Sequence, residues 1–125
     1  MYKFLIIFIF LFLYNCKKNI PEINFINLYT TTITSVKCEN LRKASNLKSV
    51  ILSDEENDNL LSSFSKLKPA SKDLSIDARV YGSIYDGSKK LDFCSGIGVI
   101  EINNKKYLVD KNLRDNLLML TQGKR

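Results

Sequence analysis

Three cysteines, Cys16, Cys38 and Cys94, are the residues of this chain with the widest chemical reach. A thiolate can be alkylated or acylated, joined to a second sulfur, or bound to a metal. Metal binding is the weakest of the three, because a zinc site draws on four ligands and the chain has no histidine. That absence also removes the side chain that most often moves protons near neutral pH. Carboxylates are the other reactive groups with suggestive spacing. Glu55, Glu56 and Asp58 crowd one short stretch, and glycoside hydrolysis uses two carboxylates about 5–10 Å apart. On a helix, however, adjacent positions point in different directions. Ser53 and Glu56 form a capping box that accounts for the acidic run without catalysis. Gly96-Ile97-Gly98 is a short G-x-G. It is expected to open a strand, whereas a dinucleotide-binding loop opens a helix, so a turn is expected there. The sequence thus leads us to expect no catalytic residues, no metal and no cofactor.

Cys16 has the most telling surroundings. Lys3 precedes ten apolar residues, Phe4 to Leu13, and Lys17 and Lys18 follow the cysteine at once. A helix needs about 20 apolar residues to cross a bilayer, so this run is too short to span and fits the core of an export signal. No alanine occurs before Ala44, so the small-residue cleavage pattern of an ordinary secretory signal is missing. The stretch Leu13-Tyr14-Asn15-Cys16 instead resembles the lipobox of small bacterial lipoproteins. The resemblance covers only the first sixteen or so residues. It implies removal of residues 1–15, lipid attachment at Cys16, and a membrane as the protein's first partner. It also implies a place in the cell envelope, the outer membrane being favoured where there are two. Two or more acyl chains, at about 0.8 kcal/mol per buried CH₂, would hold the chain there stably.

With Cys16 given to lipid, Cys38 and Cys94 become an even pair in an exported domain, the setting in which disulfides form. Bridging them closes a long loop, for which chain entropy gives a ceiling of about 4 kcal/mol. Of the 19 basic residues only Lys3 leaves with the signal, so the net charge falls from +6 to +5. The positive charge lies in two mildly basic blocks around an acidic one, without the concentrated basic face that nucleic acid requires.

The mature length suits one domain. Residues 17–27, with Pro21, read as a tether. Residues 28–38 are rich in threonine, isoleucine and valine, which predicts a strand. The capping box at Ser53 and the spacing of Leu60, Leu61, Phe64 and Leu67 predict a helix from about 54 to 68, stopped by Pro69. Residues 76–85 alternate, with Ile76, Ala78, Val80 and Ile84 on one face and Asp77, Arg79, Tyr81 and Tyr85 on the other. Asp86-Gly87 predicts a tight hairpin that would set Val80 opposite Phe93 and turn Cys94 away from it. Asn103-Asn104 predicts another tight turn, and Leu113, Leu117, Leu118 and Leu120 predict a short C-terminal helix.

These elements predict an α+β domain over residues 28–125. Its antiparallel sheet, one N-terminal strand plus a C-terminal meander, packs on one main helix. Arg79, Tyr81 and Tyr85 would share an outward face, and arginine with tyrosine is a frequent combination at binding surfaces. The expectation is a non-enzymatic binding or interaction domain of the envelope with a protein partner, an inhibitor or immunity-like role being compatible with its size. A small hydrolase using carboxylates and an accessory subunit of an envelope complex are the alternatives.

Overall fold

A computed structural model describes residues 19–29 and 35–122. The leader, Cys16 and residues 30–34, which hold most of the strand expected over 28–38, lie outside the described residues. The described chain is an α+β domain whose six-stranded antiparallel sheet has its helices packed against it. In chain order the elements are β1 (Glu22–Phe25), α1 (Cys38–Leu41), β2 (Lys48–Ile51), α2 (Asp54–Ser65), β3 (Val80–Asp86), β4 (Lys89–Ser95), β5 (Val99–Ile102), β6 (Lys105–Leu108) and α3 (Lys111–Gln122). The strands lie side by side as β2-β1-β3-β4-β5-β6.

Among the described residues the first strand of the sheet lies ahead of the threonine-rich segment. It is β1, inside the segment read as tether, and Ile23 is completely buried there. The pattern Ile23, Phe25 alternating with Glu22, Asn24 is a strand pattern only four residues long, too short to stand out beside Pro21. Described flanks of the threonine-rich segment form a turn at Leu28-Tyr29 and the one-turn helix α1 at Cys38.

The β3–β4 hairpin turns at Gly87-Ser88, one residue later than expected, with Asp86 opposite Lys89. Gly87 takes φ +62°, a conformation that glycine, lacking a Cβ, adopts at no steric cost. The later turn moves each partner by two residues, so Gly82 rather than Val80 faces Phe93. A shift of two keeps every side chain on its expected face. Asn103 and Asn104 do adopt positive φ in the β5–β6 turn. Gly82 must be a glycine for another reason: a Cβ there would stand 2.2 Å from the Glu22 carbonyl oxygen of β1.

One face of the sheet carries the main core. Ile23, Phe25, Val80, Ile84, Phe93 and Ile100 meet Leu60 and Phe64 of α2 and Leu113, Leu117 and Leu120 of α3. The Phe64 and Phe93 rings meet edge to face at 5.3 Å. Ser53 caps α2 as expected: its Oγ accepts from the Glu56 amide, and Glu56 Oε1 accepts from the Ser53 amide. The helix ends at Ser65, earlier than its apolar spacing implies, and Lys68 to Ala70 run extended alongside β6. Leu67 therefore reaches the core from outside the helix. The C-terminal helix α3 is as long as α2, 12 residues, and is capped by Asp110, whose carboxylate accepts from the Leu113 amide at 2.8 Å.

Candidate functional site

The opposite face of the sheet is where the unusual chemistry collects. Tyr81 of β3 stands across from Cys94 of β4, on the face turned away from Phe93. Cys94 is bonded to Cys38, with an S–S distance of 2.07 Å and Cα atoms 6.1 Å apart. The bond pins α1 onto the sheet, and Leu41, Ala78 and Cys94 form a second small core beneath it. Backbone contacts secure the same segment: Ala78 N–H donates to the Val36 carbonyl at 2.8 Å, and Val36 N–H donates to Asp77 Oδ1 at 2.8 Å. Arg42, the residue after α1, is thereby set over the Tyr81 ring, its guanidinium carbon 5.4 Å from the ring centre. Such a contact is worth about 0.5–1 kcal/mol at an exposed site, so it orients Arg42 more than it stabilises the fold.

Arg42 divides two polar hollows. The first, about 290 Å³, runs past Tyr81, Ser83 and Tyr85 to Ile20 and Glu22. The second, about 220 Å³, is bounded by Asp92, Glu101, Asn103 and Asn104. Asp92 borders both. Its carboxylate accepts from Ser83 Oγ at 2.5 Å, and Lys90 Nζ stands 3.8 Å from it. Ser83 of β3 thus bonds across to Asp92 of β4, and Lys90 of the same strand pairs with Asp92 with both charged ends in water. The arrangement offers a surface with one fixed cation, two tyrosines and several hydrogen-bonding groups, which suits binding to another surface.

Arg79 does not belong to that surface. It is buried, with 5% of its area exposed, and its guanidinium makes paired bonds to Asp77 at 2.7 and 3.0 Å and one to the Ala78 carbonyl at 3.0 Å. The expected alternation fails because two consecutive residues meet one partner, the local geometry of a β-bulge. The Arg79 amide donates to the Ser95 carbonyl, while Val80 is the residue paired with Ser95. Before that point the faces are exchanged, so Ala78 packs beside Cys94 instead of joining Val80 and Ile84. For Asp77, burial raises the carboxyl pKa, but the Val36 amide and the Arg79 guanidinium outweigh it and hold the group below its ordinary 3.8.

The acidic run on α2 does not converge. Glu56 serves the cap, and Glu55 and Asp58 are exposed. Between them Asn57 is buried, and its amide makes both backbone bonds of Tyr85, accepting from the amide at 2.9 Å and donating to the carbonyl at 2.7 Å. Asn57 thus continues the ladder that β1 leaves at Ser83. Gly96-Ile97-Gly98 is the β4–β5 turn, closed by the Gly96 amide on the Val99 carbonyl. Sequence reasoning missed both Arg42 and Asn57. Arg42 had one available signal, its place four residues after a cysteine expected to bond to the sheet. Asn57 had none.

Among the described residues no group of three histidine, cysteine, aspartate or glutamate side chains could hold a metal ion. No described helix is long and apolar enough to cross a membrane. Comparison with protein-family models, with curated proteins and with solved structures finds no match for this chain.

Proposed function

We propose that this protein is a lipid-anchored binding domain of the bacterial envelope, held to a membrane through Cys16. It would take a protein partner on the sheet face that carries Arg42, Tyr81 and Tyr85. The observation that supports this most is the Cys38–Cys94 disulfide. Such a bond persists in an oxidising compartment, which agrees with the export signal. It takes up the two cysteines of the folded domain, and Cys16 is the third cysteine of the sequence. It also fixes the segment that carries Arg42, so the bond that fits the compartment also builds the surface.

Arg42→Glu combined with Tyr85→Ala tests the surface. The pair should abolish a cross-linked partner band seen with the unaltered lipoprotein, while circular dichroism stays unchanged. A partner that remains cross-linked with equal yield would place the binding surface elsewhere.

A further inference from the structure

The end of the sheet at Glu22 is the end from which the chain runs back to Cys16. Four residues carry it from Cys16 to Ile20, a reach of at most about 14 Å. A headgroup layer takes up about 5–8 Å of that. Pairing of β1 with β3 stops at Glu22 and Ser83, but β3 and β4 continue to Asp86 and Lys89. Three further residues at about 3.3 Å each carry the hairpin roughly 10 Å beyond Glu22, in the direction from which the chain arrives. The hairpin therefore projects as far as the tether can reach.

Four residues at this end, Ile20, Tyr85, Lys89 and Lys90, suit a lipid surface. At the tip itself the exposed Lys89 and Lys90 outnumber Asp86 and can meet phosphate headgroups, although Glu22 and the acidic first turn of α2, Asp54 to Glu56, lie at the same end of the sheet. Tyr85, half-buried on the outer face, lies across from Lys90, and tyrosine is favoured where headgroups meet acyl chains. Ile20 is 54% exposed on the same side.

We propose that the β3–β4 hairpin tip and Ile20 rest on the phospholipid surface, so that the hollow beside Tyr81 opens at the membrane boundary. This rests on lipid attachment at Cys16. It narrows the partner to one that reaches that boundary, such as a protein itself held in or on the membrane.

The chain has no tryptophan, so single reporters can be placed at will. Ser88→Trp marks the exposed tip and Ile97→Trp the exposed turn at the opposite end of the sheet. The lipid-bearing full chain is reconstituted into phosphatidylcholine–phosphatidylglycerol vesicles containing a lipid with a nitroxide on its headgroup. Emission from the Ser88→Trp protein should be strongly quenched and that from the Ile97→Trp protein nearly unaffected. Adding Lys89→Glu and Lys90→Glu should weaken the quenching at the tip. Ile20→Trp supplies a second reporter at the same end if the tip variant folds poorly. Equal quenching at the two ends, in protein whose intact mass shows the lipid, overturns the orientation alone. An intact mass without lipid overturns the anchor, and the orientation with it.

Discussion

Asp77 carries more than its own ion pair. Its carboxylate joins the Val36 amide to the Arg79 guanidinium, and so ties the loop before α1 to the start of β3. Its folded pKa lies below the ordinary value, so the carboxylate contributes stability that is present above the unfolded pKa near 3.8. That contribution is lost as pH falls through the lower folded value. Asp77→Asn should therefore lower stability at neutral pH and flatten the acid limb of the stability curve, as urea melts at a series of pH values would show. An acid limb as steep as in the unaltered protein would count against it. Arg42 differs, because its contact with Tyr81 is small and open to water. Arg42→Ala should shift the urea midpoint by less than the equivalent of about 1 kcal/mol while removing partner binding.

Helix α2 shows what the sequence can and cannot announce about an element. Its start was legible, because Ser53, Glu56 and the acidic first turn are local signals, and the local bonds form. Its end was not, since Leu67 keeps helical spacing yet reaches the core from an extended segment that joins the edge of β6. The same limit hid β1. Four residues with two inward side chains become an interior strand only because β2 and β3 pair on either side. Ser53→Ala should cost about 1 kcal/mol. Asn57→Ala should cost more than Ser53→Ala, up to about 3 kcal/mol, because it leaves both backbone groups of Tyr85 without their side-chain partner. Chemical denaturation of the two variants separates a helix cap from a helix-to-sheet clamp, and equal losses would remove the distinction.

At the scale of the molecule, two faces of one sheet divide the work. The inner face holds the fold together through α2 and α3. The outer face is built by a covalent bond around a much smaller core. That Cys94 turns away from Phe93 was legible from the hairpin, because a slip of two residues preserves the face. The burial of Arg79 was not, because one extra residue opposite Ser95 exchanges the faces and leaves no mark in the local sequence. Reduction of the disulfide should lower stability by up to about 4 kcal/mol and loosen Arg42, with the α2–α3 core still folded. Hydrogen exchange after reduction should therefore rise first at residues 36–42. The proposal as a whole joins this bond to a lipid on Cys16, and peptide mass spectrometry of the protein extracted from membranes without reductant reads both at once. It should find an N-terminal peptide beginning at lipid-modified Cys16 and a linked pair of peptides containing Cys38 and Cys94. An unmodified Cys16 within an uncleaved leader, or separate alkylated peptides for Cys38 and Cys94, would contradict it.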